Sequence, residues 1–294
     1  MDAVGGATVS AAPATVIGVR DVGNSIADDL RAVRMVWKRE LIRFTRNKVR
    51  MITSLAQPII YLFILGTGLS QLIPGGSKID YRTFIFPGVL GMSVLFTAIF
   101  ASLSIVWDRE FGFLREMLVA PVRRSALVLG KCLGGASVAT FQGAVMLVFC
   151  GLVHVPYSPA LLLSLVGMMA LLAFMLTALG TVIAARMAQV ETFQVVMNFI
   201  VLPMFFLSGA VFPLDRLPRW LSALTKVDPM SYAIDPMRRA VFDHVNISPR
   251  LARTLNPGIS WGGHRLPAGL ELAIVALVGL AMLTGAVMQF SRPE

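Results

Sequence analysis

The sequence predicts an all-α polytopic membrane protein with six transmembrane helices, on three observations. Six nearly uncharged apolar stretches of about 19 to 27 residues divide the chain, and about 20 helical residues cross a hydrocarbon core about 30 Å thick. Only 14% of the residues are charged while 56% are hydrophobic, where a soluble chain carries about a quarter charged. Basic residues crowd the segments that flank the stretches, as orienting charges do in membrane proteins. Lipid leaves no water for loose backbone groups, so each crossing is expected to be helical.

Residues 1–27, rich in Ala, Val, Gly and Thr, read as a disordered cytoplasmic tail, without the basic start of a secretory signal. Over 28–50 the pattern becomes a basic amphipathic helix. At 100° per residue Leu30, Val33, Trp37, Leu41 and Phe44 share an arc of about 80°. Arg31, Arg34, Lys38, Arg39, Arg43, Arg46 and Arg50 take the rest. Such a helix suits the inner headgroup layer, either as a topological anchor or as a link to a cytoplasmic partner. The spans follow at 51–72, 83–107, 132–153, 159–185, 192–214 and 272–290.

Orientation comes from the cations. With both termini cytoplasmic, sixteen of the 26 Lys and Arg lie inside. Ten lie outside, several of them far from any span, where the bias weakens. Anionic lipid headgroups are the natural partner for the net charge of +10. The charge forms no stripe of the kind that binds nucleic acid.

Two connecting segments stand out. In the inner loop Asp108 can cap a short helix that Pro121 stops, with Phe111, Leu114 and Leu118 on one face and Arg115 and Glu116 opposite. That helix either floats in the interface or plugs into a groove on a soluble partner. On the outside, 217–225 and 229–245 read as two short amphipathic helices. Pro213, Pro218, Pro229 and Pro236 keep them from becoming one. Residues 246–266 read as irregular.

Site chemistry is sparse. No Gly-x-x-x-x-Gly-Lys-Ser/Thr loop is present: before Gly130-Lys131, Ser125 stands where the first glycine belongs, and Cys132 follows. His154, His244 and His264 lack metal-ligand spacing, so neither metal nor catalytic residues are expected. Cys132 and Cys150 lie about 27 Å apart along one helix, beyond disulfide reach, and read as small buried hydrophobes. The spans show charge only at their edges, at Glu191 and Glu271, which weakens an ion-coupled carrier. Their amides, Gln57, Gln142, Gln194 and Asn198, read as interhelical hydrogen bonders, and Gly130 with Gly134 as a close-packing pair. A membrane pathway, cytoplasmic docking surfaces and no visible energy source fit a transporter driven by another subunit. A scaffold subunit without its own path is the rival.

Two motifs then carry a resemblance. The inner loop reads Arg109-Glu110-Phe111-Gly112-Phe113-Leu114-Arg115-Glu116-Met117-Leu118-Val119-Ala120-Pro121-Val122, followed by Leu129-Gly130-Lys131. The outer segment reads Leu207-Ser208-Gly209, Phe212-Pro213, then Pro229-Met230-Ser231-Tyr232 and Arg238. Together they resemble the membrane subunits of type-2 ABC exporters, in particular the daunorubicin/doxorubicin-resistance and nodulation-type permeases, over about 28–290. Phe113 and Arg115 depart from that family's small hydroxyl and acidic residues.

The resemblance implies a permease subunit of the cytoplasmic membrane that exports a hydrophobic or amphipathic substrate, a drug-like compound or a lipid. It implies a connecting helix at 28–50, with Trp37, Arg39 and Phe44. A coupling helix at 108–121 would insert into an ATPase subunit through Glu110, Gly112, Leu114, Leu118 and Pro121. A re-entrant outer gate would be marked by Gly209, Pro213, Pro229, Tyr232 and Arg238. Two permease chains, alike or different, would pair with two ATPase subunits. ATP and Mg²⁺ would enter through those partners, with no cofactor on this chain.

Overall fold

The computed structural model describes residues 26–68, 81–112, 123–213, 218–245, 247, 249–261 and 264–291. Helix α1 (Ile26–Arg46) ends at Asn47, whose side chain accepts from the Arg50 amide and caps α2 (Lys48–Gly68). The helix expected over 28–50 is therefore divided, and Lys48 and Arg50 open the first span. Five further spans follow: α3 (Tyr81–Glu110), α4 (Arg124–Val153), α5 (Pro159–Ala184), α6 (Val190–Leu207) and α10 (Ala268–Ser291). Between the last two lie α7 (Arg219–Val227), α8 (Ser231–His244), α9 (Pro249–Leu255) and a two-residue hairpin of β1 (Ser260–Trp261) and β2 (His264–Arg265). The segment expected to be irregular thus holds a short helix and a hairpin.

Why each element stops where it does is local. Pro58 lies inside α2 and has no N–H to donate, and Tyr61–Leu65 opens into a π segment just beyond it. α4 tightens to a 3-10 helix from Leu147 and ends at His154, which takes a left-handed conformation at φ 58°. α5 starts with Pro159 in its first turn, where a missing N–H costs nothing.

The bundle has a definite centre. α3, α4 and α5 pack on one another, α10 covers α5 and α4, and α1 lies along α4. Small residues let the backbones close: a Cβ on Gly135 would meet Thr177 Cγ2 at 2.7 Å, and one on Gly180 would meet Ser102 Oγ at 2.4 Å. Gly130 and Gly134 serve the same purpose toward Val36 and Glu40 of α1, so the expected close-packing pair receives the amphipathic helix. That groove selects the buried face of α1. Val36 and Glu40 are covered, whereas Leu30, on the expected apolar arc, is 63% exposed.

α3 is the most enclosed span, and α2 and α6 are among the least covered. The crossings alternate in direction, so α1, Glu110 and Ser291 lie at one end of the bundle. The other end is closed by α8, which packs on α3, α5 and α10.

Candidate functional site

The α1 end is held by charge. Lys131, on α4, donates to Asp108 of α3 in a short hydrogen bond and lies 3.8 Å from Glu40 of α1. Arg39 reaches both carboxylates, at 3.2 Å to Asp108 and 3.4 Å to Glu40. Asp108, Lys131 and Glu40 are all buried. Buried charges persist only when paired, so this cluster ties three helices into one geometry.

The expectation that charge stays at span edges is corrected here. α3 continues past Trp107 to Glu110, and α4 begins at Arg124 rather than 132, which draws Asp108 and Lys131 inside the bundle. Asp108 is accordingly a buried ion-pair partner and not the cap of a loop helix.

Beyond Asp108 the chain enters the inner loop. Arg109 donates to the Ala185 carbonyl at 2.7 Å, and the Glu110 carboxylate accepts from the Val190 amide at 3.1 Å. A carboxylate at the N-terminus of α6 also meets the positive end of that helix dipole. Gly112 takes φ +79°, a left-handed conformation that turns the chain away from α3. Leu114, Leu118 and Pro121 lie outside the described residues. Trp37 donates to Ser137 Oγ at 3.0 Å and Phe44 stands edge-on to Phe141, so Trp37, Arg39 and Phe44 all face the bundle.

At the opposite end two of the outer signature residues, Gly209 and Arg238, meet directly. Ser208 closes α6, and Gly209 at φ +71° reverses the chain. The Arg238 guanidinium is buried, donates to the Gly209 carbonyl at 2.6 Å and stacks 4.3 Å from the Phe84 ring centroid. Burial lowers its pKa to about 10, with Asp235 opposing. Gly88 of α3 touches the Ala210 backbone so closely that a Cβ would sit 2.2 Å from its carbonyl oxygen. Tyr232 donates to the Lys226 carbonyl and accepts from Trp261. Pro229 stands between α7 and α8, and Pro213 is half-buried after α6.

A second ionic cluster sits beside it. Arg239 bonds Asp235 and, at 2.7 Å, Glu271, which lies in the first turn of α10, at the span edge as expected, but is fully buried there. Asn256 donates to Asp235 at 2.6 Å. Burial opposes ionisation of Asp235, but Arg239 and Asn256 hold its carboxyl below the usual range.

Asp228 precedes α8 and accepts from the Met230 amide and the Ser231 hydroxyl, yet burial raises its pKa from 3.8 to about 7. The folded value exceeds the unfolded one, so the native state holds the extra proton between them. The associated stability is complete below about pH 4 and lost as pH rises to 7. The expected slope is about 1.4 kcal/mol per pH unit from this group. Thermal unfolding of the detergent-solubilised chain across this range should show Asp228→Asn flattening the decline.

The amides divide. Gln142 donates to the Met51 carbonyl and to Ser54, joining α4 to α2 as expected. Gln57 on α2 and Gln194 and Asn198 on α6 make no side-chain hydrogen bond among the described residues and are exposed. They leave a polar lane on poorly covered spans.

A multi-pass helical membrane protein, with one buried span running between a basic loop end and a capped end, is the class this geometry defines. The chain belongs to the ABC-2 type transporter family, whose profile matches residues 31–242. It is 29% identical to nodulation protein J of Rhizobium leguminosarum bv. trifolii over 212 residues, which are 71% of this chain and 80% of that one. It is 28% identical to ycf38 of Cyanophora paradoxa, a transport permease by name, over 68% of this chain and 71% of that one. YbhR of Escherichia coli K12, named as a probable multidrug ABC transporter permease, is 28% identical over 54% of this chain and 43% of its own.

Proposed function

We propose that this ABC transporter membrane subunit forms half of an export path for a hydrophobic or amphipathic molecule, a drug-like compound or a lipid, in the cytoplasmic membrane. The observation that carries this reading over a scaffold is the polar lane of Gln57, Gln194 and Asn198 on α2 and α6. An unpaired amide in hydrocarbon costs about 2–7 kcal/mol, so that face is turned to water or to protein. A second permease chain, alike or different, placed there gives a path between the two copies.

Drive comes from a separate ABC ATPase subunit that supplies ATP and Mg²⁺. The loop from Glu110 through Gly112, Leu114, Leu118 and Pro121 docks on it. The bonds of Arg109 and Glu110 to the start of α6 and the turn before it support a direct pull on the lane-bearing span. The α8 cap with Gly209, Pro213, Pro229, Tyr232 and Arg238 acts as the outer gate. Both termini are cytoplasmic, which leaves Arg238 and Arg239 on the outer side. Arg238 is buried against carbonyls and half-buried Arg239 is paired with two carboxylates, so neither stands as a free surface charge on that side.

The test is the Glu110→Ala, Pro121→Gly double variant, assembled with its ATPase in proteoliposomes. Export should fall at least about tenfold while the chain stays in the membrane, as loss of about 1.4 kcal/mol of coupling implies. ATP-dependent export at the unmodified rate would remove the coupling assignment.

A further inference from the structure

Where α1 breaks into α2, a cavity of about 600 Å³ opens between these helices, α3, α4 and α6. Its volume lies within the range of small-molecule sites. Arg43 and Arg50 line it together with Trp107, Phe100, Phe96 and Gln57. The Arg43 guanidinium carbon stands 5.3 Å from the Trp107 ring centroid and that of Arg50 stands 6.0 Å from the same ring. Arg50 also lies 5.5 Å from the Phe100 centroid. Two cations thus share one indole, and neither forms an ion pair with a carboxylate among the described residues. Glu40, also on the wall, is already held by Lys131 and Arg39.

We propose that this cavity is a binding site for an anionic amphiphile entering from the leaflet at the α1 end. The head, a phosphate or other oxyanion, bridges Arg43 and Arg50, relieving their mutual repulsion and filling donors the protein leaves open. Trp107 marks the headgroup level, where indoles settle. From Trp107 to Phe96 the wall of α3 descends about 16 Å toward the bilayer centre, past Phe100, which is 42% exposed. Phe96, Phe100, Ala101, Leu103 and Val138 give the lower cavity an apolar majority that takes a tail, while Gln57, Thr97 and Gln194 keep the rest of that wall polar. A free oxyanion would satisfy the two arginines and leave this aromatic wall unused, so the shape favours a lipid-like ligand.

Binding is read without nucleotide or ATPase, so its failure leaves the exporter reading intact. The full chain carrying Trp37→Phe, Trp220→Phe and Trp261→Phe keeps Trp107 as its single indole. It is placed in phosphatidylcholine nanodiscs containing a minor fraction of brominated phosphatidylglycerol or brominated phosphatidylcholine. Brominated phosphatidylglycerol should quench Trp107 at a lower mole fraction, by about fivefold for each engaged guanidinium. Arg43→Gln with Arg50→Gln should erase that preference and keep the quenching by the neutral lipid. Gln57→Glu, which leaves both arginines and sets a carboxylate in the cavity, should erase it too. Arg31→Gln with Arg34→Gln should leave it unchanged.

Equal quenching by the two lipids overturns the proposal, as does a preference that survives both cavity variants. Loss of preference in the Arg31, Arg34 variant reduces the effect to general surface charge and also overturns it. Inorganic phosphate should not displace the brominated phosphatidylglycerol. Displacement would make the site one for free oxyanions and overturn the amphiphile.

Discussion

Lys131→Met is expected to destabilise the folded chain by about 3–5 kcal/mol, the range for leaving a buried carboxylate without its partner. The lysine is the cation shared by Asp108 and Glu40, and both carboxylates are buried. Arg39 remains within reach of each, but its side chain is 46% exposed and water screens it. Thermal unfolding of the detergent-solubilised chain reads the loss. Adding Asp108→Asn to the variant removes the stranded charge and should recover part of the stability. If Lys131→Met alone costs less than about 1 kcal/mol, the cluster is solvated and does not organise the α1 end.

The six crossings were legible because each is an apolar stretch long enough to span a bilayer, and length plus hydropathy is a one-dimensional signal. The fourth span was read over 159–185 and runs Pro159–Ala184. Burial of charge was not legible. Lys131 beside Gly130 looks the same in sequence whether water or Asp108 receives its ammonium. The partners are 23 residues apart for Lys131 and Asp108, and 69 for Arg39 and Asp108. The packing of α3 on α4 brings the first pair together, and the seating of α1 in the Gly130–Gly134 groove brings the second. The buried face of α1 is turned from the expected arc for the same reason: Val33, Trp37, Leu41 and Phe44 lie toward the bundle, but Leu30 is exposed and the groove centres on Val36 and Glu40. The outer signature residues were legible as a motif, while the bond that joins two of them, Arg238 to the Gly209 carbonyl, required the fold.

Arg239→Met is expected to have an effect of similar size at the opposite end, about 3–5 kcal/mol, through a different part of the bundle. Arg239 stands between Asp235 and Glu271 and also donates to the Leu266 carbonyl at 2.8 Å. Without it two carboxyls are left together, Asp235 4% and Glu271 0% exposed at the side chain, with Asn256 still bonded to Asp235. Among the described residues only Arg265, 39% exposed and 3.8 Å away, is then left to pair with Asp235. Two buried like charges cannot both stay ionised, so α8 must separate from α10 or one group must take a proton. Glu271→Gln in the same chain should therefore recover part of the loss. The two cysteines distinguish an opened cap from general unfolding, because both are free and buried and lie toward opposite ends of α4. In Arg239→Met, maleimide should reach Cys150 faster while Cys132 keeps its protection. In Lys131→Met the order should reverse. Simultaneous labelling of both thiols in either variant would mean that the two ends melt as one unit, and would remove the independent cap on which an outer gate depends.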